Sequence, residues 1–233
     1  MSEITIFEKL LGDIQRTEYY DCLRDRSKYI PSSDRGIHTL DFSNTELSKS
    51  IRSFFLNATF KEEKLDDQVA VLVDDFPFYK KLKELILKQP EIKKYEKQHG
   101  LFTSVKMESF VLQPGMCLHR HNDIRNNYRI KMVLWFTEGE FLPEDGGELV
   151  FSTVSIEELI QLEKSKNFFN ADSYFPLKSA QVEVEIRPSN GRGAWWNNQD
   201  GTLIHEVREQ RKSNKRYTIA ILLGYKSEVN DSC

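Results

Sequence analysis

The sequence predicts an α+β protein in which N-terminal helices pack against a β-core of sandwich or jelly-roll type. Two observations predict that class. As far as about residue 100, apolar residues recur at helical spacing; beyond Gly100 the chain breaks into short alternating stretches divided by glycine and proline turns. A third observation joins the halves: no Gly-, Pro- or Ser-rich linker separates them, so residues 1–103 read as mainly helical support and residues 104–227 as the β-core of one unit. A chain of 233 residues is long enough to bury such a core.

The elements follow in order. In E-L-S-K-S-I-R-S-F-F-L, Leu47, Ile51, Phe54 and Phe55 fall on one helical face. Tyr79, Leu82, Leu85 and Ile86 do the same in F-Y-K-K-L-K-E-L-I-L-K, and Pro90 is expected to close that helix. S-V-K-M-E-S-F-V-L-Q alternates as a strand and meets the turn Pro114-Gly115. Y-R-I-K-M-V-L-W-F-T is a second strand, and E-L-V-F-S-T-V, after Gly146-Gly147, a third. The helical patch I-E-E-L-I-Q-L-E-K, the strand V-E-V-E-I, the turn P-S-N-G-R-G, A-W-W and R-Y-T-I-A-I-L-L-G-Y complete the pattern. The stretch 152–187 is long for a strand connection and carries Phe168, Phe169, Tyr174 and Phe175, which suits either a lid over a site or a peripheral helix with anchoring aromatics.

Composition narrows the function. Lys plus Arg is 33 against 36 Asp plus Glu, a net charge of -3, which gives no electrostatic case for nucleic acid or for an anionic membrane. The longest apolar runs are far too short to span a bilayer. The start, M-S-E-I-T-I-F-E-K, lacks the basic and apolar order of a secretory signal. Cys22, Cys117 and Cys233 are odd in number and scattered, which points to a reducing, cytoplasmic setting. An aromatic content of 12% suits a lined pocket in a β-core.

The chemistry concentrates at L-H-R-H-N-D, which holds two of the five histidines. On a strand, residues i, i+2 and i+4 share a face, so His119, His121 and Asp123 would stand together. Two histidines and a carboxylate on one face of an octahedron leave the opposite face open, as at non-haem Fe(II) sites. His205, in G-T-L-I-H-E-V, can complete such a set with His121 and Asp123 if its strand borders the same barrel. Arg216 would then point inward from the next strand, where a buried guanidinium needs an anion. Two other readings stand beside this one. A polar surface cluster needs no metal, and a cupin-like site would use His119 with His121 plus a later Glu and His. Cys117 alternates with His119 but reads more simply as a core residue.

Four blocks in order resemble the 2-oxoglutarate and Fe(II)-dependent dioxygenases, in particular their prolyl-hydroxylase-like branch: P-G-M-C-L-H-R-H-N-D, L-P-E-D-G-G-E-L-V-F, R-P-S-N-G-R-G-A-W-W, and H-E-V followed by R-Y-T-I-A. The resemblance covers roughly Ser104 to Lys226. It implies a double-stranded β-helix, with His121, Asp123 and His205 as iron ligands and Arg216 as the anchor for the far carboxylate of 2-oxoglutarate. It further implies Fe(II), 2-oxoglutarate as co-substrate and O2, used to hydroxylate an unactivated C–H bond; the carboxylate of Asp123 favours hydroxylation over halogenation. Where a cupin would place its Glu, this chain has Arg125, Asn126 and Asn127, so His119 is expected beside the metal rather than on it. Arg208, Arg211, Lys212 and Lys215, in a polar loop, are expected to be solvated.

The substrate is less legible. Arg125 and Arg129 follow the metal motif and suit an anionic group, with Lys131 an alternative for the strand face toward the barrel. Gln113, Trp135 and Trp195 are candidate pocket residues; Trp195 and Trp196 are adjacent, so one should line the pocket and the other pack under the helices. The expected partner is a small-molecule or amino-acid substrate, chiefly a free or carrier-borne amino acid. A peptidyl, prolyl-type hydroxylase and a cupin-like metal protein without 2-oxoglutarate turnover are the alternatives.

Overall fold

The computed structural model describes residues 37–58, 61–65, 68–72, 76–121, 128–155, 157–158, 179–197, 203–211 and 214–225. The N-terminal part contributes β1 (His38–Asp41), α1 (Glu46–Asn57), the hairpin β2 (Lys61–Leu65) and β3 (Gln68–Leu72), α2 (Tyr79–Leu87) and α3 (Pro90–His99). The core follows as β4 (Ser104–Leu112), β5 (Leu118–His121), β6 (Tyr128–Thr137), β7 (Leu149–Thr153), β8 (Gln181–Ile186), β9 (Arg192–Asn197), β10 (Leu203–Val207) and β11 (Arg216–Gly224).

The strands form a five-stranded sheet ordered β1-β9-β6-β11-β4 and a four-stranded sheet ordered β5-β10-β7-β8, with β2-β3 paired separately. Every strand pair is antiparallel. From β4 to β11 the chain passes back and forth between the two larger sheets, which is the jelly-roll expectation.

Alternation along the five-stranded sheet sorts side chains into two cores. Ile130, Met132, Leu134 and Phe136 of β6, with Tyr217, Ile219, Ile221 and Leu223 of β11, face the helices and meet Ile51, Phe55, Leu82, Ile86 and Ile92. The intervening Val133 and Trp135 face the other sheet and meet Leu149, Phe151, Leu203 and Val207. β11 is buried along its whole length, which is why I-A-I-L-L within it reads as a continuous apolar run. Phe55 couples α1 to this sheet, its ring stacked on Tyr217 at 5.2 Å between centroids.

Local chemistry sets the helix ends. Thr45 caps α1 by accepting from the Ser48 amide at 3.0 Å. Pro90 corrects one expectation: it does not close α2, which ends at Leu87, but opens α3 as a first-turn proline. Proline lacks the N–H that a first helical turn leaves unbonded, so that position costs nothing. Glu96 of α3 is buried and accepts from the Phe102 amide at 3.2 Å and from Lys93 Nζ at 2.6 Å, tying the helix to the entrance of β4.

The mainly helical support also holds three strands. H-T-L-D forms β1 and pairs with β9, His38 opposite Trp195. Four residues are too short to show a period, and K-E-E-K-L in β2 is too charged to read as a strand. Gly193 shows the tightest approach between strands: a Cβ there would stand 2.0 Å from the Val133 carbonyl oxygen on β6. Among the described residues, no helix is long and apolar enough to cross a membrane.

Candidate functional site

The register between β10 and β5 sets the Cα of His205 opposite that of His121, and Val207 opposite Leu118. Two residues on β5, His119 and Arg120, thus oppose one on β10, Glu206, and the spare one makes a β-bulge. The slip lies between Leu118 and His121, so the strict alternation expected along L-H-R-H is interrupted, and it is His121 that pairs with His205. Arg120 Nε donates to Glu206 Oε2 at 2.8 Å, an ion pair that fastens the same two strands. His205 is 2% exposed. The rings of Trp196 at 5.0 Å and Phe151 at 6.0 Å wall it in. Lys131, opposite Trp196 in the β6–β9 register, holds its Nζ 5.8 Å from the indole centroid. Asp123 and Arg125 lie outside the described residues, and among the described residues no three His, Cys, Asp or Glu side chains are grouped to hold a metal.

Arg216 occupies the other end of the same interior. It is 1% exposed, its Nη1 donates to the Gly147 carbonyl at 2.6 Å, and its guanidinium lies 5.5 Å from the Trp135 ring centroid. Burial pulls its pKa down to about 9, against the opposing pull of the Glu148 carboxylate. Arg216 Nε, Thr218 Oγ1 and Trp135 Nε1 are buried without a hydrogen-bond partner among the described residues. Thr218 follows Arg216 by two along β11 and pairs with Trp135 across to β6. A buried cation with its own Nε unfilled, beside two more unfilled polar atoms, is chemistry that fits the far carboxylate of 2-oxoglutarate.

The other sequence candidates divide. Trp135 lies in the interior beside Arg216. Of the adjacent tryptophans, Trp196 is the one inside; Trp195 faces the helices and stacks on His38 at 4.1 Å between rings, which corrects its assignment to the pocket. Gln113 stands just past Leu112, the β4 partner of Arg216, and so at the end of the barrel away from His121. Its backbone N–H donates to Met116 Sδ at 3.3 Å inside the turn. Arg129 is at the His121 end, where a register slip in the β6–β11 pairing turns it over the Tyr225 ring, 6.0 Å from the centroid. Phe168, Phe169, Tyr174 and Phe175 lie outside the described residues. The described ends of that insertion are tied together, Ser155 N donating to Ser179 Oγ at 2.9 Å and Ser179 N to Glu158 Oε2 at 2.8 Å.

A separate cleft of about 690 Å³ opens beyond Trp135, at the end remote from His205, between Thr137, Phe141, Ile186 and Asn190. Two of its three arginines are engaged, Arg52 donating to the Thr137 and Glu138 carbonyls at 3.0 Å each and Arg192 pairing with Asp41 at 3.0 Å, and no histidine is among its described lining residues. The interior between His205 and Arg216 is therefore the better candidate site. Sequence reasoning missed Thr218 and Glu148 there. Thr218 was within reach, being two residues beyond Arg216 on one strand; nothing in the sequence marks Glu148, in E-D-G-G-E-L, as buried.

No protein-family model matches this chain, and no curated protein matches it. Solved structures do match its fold. A prolyl-4-hydroxylase of Pseudomonas putida superposes with a TM-score of 0.54 at 14% identity, over 89% of this chain and 99% of that one. A prolyl hydroxylase from Trichoplax adhaerens, in complex with a hypoxia inducible factor oxygen degradation domain peptide fragment, gives 0.53 at 13% identity over 94% of this chain and 92% of that one. A prolyl 4-hydroxylase of Phytophthora capsici gives 0.50 at 18% identity over 91% of this chain and 67% of that one. Among the described residues, the two larger antiparallel sheets and the three α-helices thus share the fold of these prolyl hydroxylases, in keeping with the double-stranded β-helix that the four sequence blocks imply.

Proposed function

We propose that the protein is an Fe(II)- and 2-oxoglutarate-dependent oxygenase that hydroxylates a peptidyl substrate, in the manner of the prolyl hydroxylases. One observation carries the reading: a fully buried Arg216 with an unfilled Nε stands on the sheet that faces the one carrying the paired His121 and His205. His121, Asp123 and His205 would hold the iron. Arg216, with Thr218 and Trp135 beside it, would hold the far carboxylate of 2-oxoglutarate. Iron and co-substrate together supply the oxidising power that converts C–H to C–OH with O2, leaving succinate and CO2. The chain's part is to orient the co-substrate along the barrel and to keep water from it. Phe151 and Trp196 wall the His205 end, and Trp135 floors the Arg216 end.

The matched folds support the peptidyl alternative over the free amino acid expected first. All three are prolyl hydroxylases, and one of them binds a peptide fragment. Arg129, which suggested an amino-acid carboxylate, lies over Tyr225 instead.

Succinate release from iron-loaded protein, measured under O2 with proline-containing peptides and with free amino acids, tests both levels. Stimulation by a peptide, abolished in His205→Ala, is the expected result. Stimulation by free amino acids alone would return the substrate to the small-molecule reading. No succinate despite bound iron would favour the cupin-like alternative and bring His119 into the ligand set.

A further inference from the structure

A buried acid stands next in the chain to the residue that receives Arg216. Glu148 directly follows the glycine whose carbonyl receives Arg216, and it is 3% exposed. Its Oε2 is buried with no hydrogen-bond partner among the described residues. Of those residues it is the one whose charge acts on the guanidinium, yet the guanidinium's hydrogen bond goes to the Gly147 carbonyl and not to the carboxylate. A buried carboxylate with an empty oxygen and a buried guanidinium with an empty Nε are each costly. Keeping both gives the ligand-free interior a balance of charge, one positive and one negative, where water cannot supply it.

A dicarboxylate upsets that balance. Once its far carboxylate sits on Arg216, two negative groups share one cation in a low-dielectric volume. We propose that Glu148 is an internal counter-ion of Arg216 that stabilises the ligand-free protein and opposes the incoming carboxylate, so setting the affinity for the co-substrate. The inference rests on the co-substrate reading above and adds a residue that never touches the reacting atoms: Glu148 is a positioning residue acting through Arg216. Its signature is a pair of effects of opposite sign. Loss of the acid should weaken the resting fold and strengthen anion binding, whereas loss of a purely structural side chain weakens both.

The test is Glu148→Gln, which keeps size and shape and removes the charge. Binding of 2-oxoglutarate is measured by calorimetry on Mn(II)-loaded protein without oxygen, and ligand-free stability by thermal unfolding. The variant should bind 2-oxoglutarate about tenfold more tightly than wild type, the scale of one like charge several ångströms away at an intermediate dielectric, and melt at lower temperature. Binding that is unchanged or weaker overturns the proposal while leaving the co-substrate reading in place. If wild type itself does not bind 2-oxoglutarate, that reading falls and the proposal with it. Should Glu148→Gln fold too poorly to titrate, the double variant Glu148→Gln/Arg216→Met decides. With both charges gone it should melt above Glu148→Gln alone, and a lower or equal melting temperature overturns the counter-ion role.

Discussion

Thr218 carries a hydroxyl where no described group meets it, and that makes it a sensitive reporter of what enters the barrel. Valine has the same shape without the hydroxyl. Thr218→Val should leave the ligand-free protein as stable or slightly more so, since an unfilled buried hydroxyl costs about 1–3 kcal/mol. The same change should weaken 2-oxoglutarate binding about tenfold, because a hydrogen bond to a charged group is lost. Calorimetry on the metal-loaded variant checks both, and unchanged binding would remove Thr218 from the cradle. Its neighbour Tyr217 faces the other way and donates its hydroxyl to Glu138 Oε1 at 3.2 Å. Burial, and then the charge of Glu138, push its pKa up to about 12 from 10.0. A raised tyrosine pKa stabilises the fold below about pH 10 and loses that contribution as pH climbs through 12. Denaturant midpoints measured from pH 9 to 12 should therefore fall less steeply in Tyr217→Phe than in wild type; parallel curves would show that the buried phenol is not what titrates.

At the scale of elements, the β6–β9 pairing depends on having no side chain at Gly193. Gly193→Ala should cost about 3 kcal/mol by forcing the Val133 carbonyl and the Leu134 side chain aside. For a domain of this size that is a fall of about 6–12 °C in Tm, and a fall under 2 °C would mean that the strands shift apart without strain. The same pairing shows what was readable in advance. β6 and β11 were legible because they are long and apolar, and β9 because A-W-W follows a strong turn. β1, β2 and β3 were not: their pairing is specified by partners far along the chain or by a hairpin too polar to show a period. The site divides likewise. His205 and Arg216 could be found because each is a conspicuous residue type beside an apolar strand. The choice between Trp195 and Trp196 could not, because alternation states only that they face apart, while the identity of the inner one depends on which face of β9 the helices cover.

For the whole molecule, the helices and the barrel share one sheet, and Phe55 is the densest point of that contact, touching Phe76, Phe136 and Tyr217. Phe55→Ala should cost about 3–5 kcal/mol. If residues 1–103 and 104–227 form one unit, that cost appears as a single transition moved to lower temperature, with circular dichroism and tryptophan fluorescence coincident. Two separated transitions would instead make the helices a module of their own.

β11 has a consequence in the order of synthesis. It pairs with β4 on one side and β6 on the other, and every residue in it is buried, yet of the described strands it is the last to leave the ribosome. At about 5–20 residues per second, β4 and β6 must wait on the order of seconds, their facing edges and apolar surfaces bare, until the strand that separates them arrives. Up to that moment the nascent chain lacks Arg216 and Thr218. A chain stopped before Arg216 is thus no weakened version of this protein; it is a set of exposed strand edges, suited to a chaperone or to an aggregate.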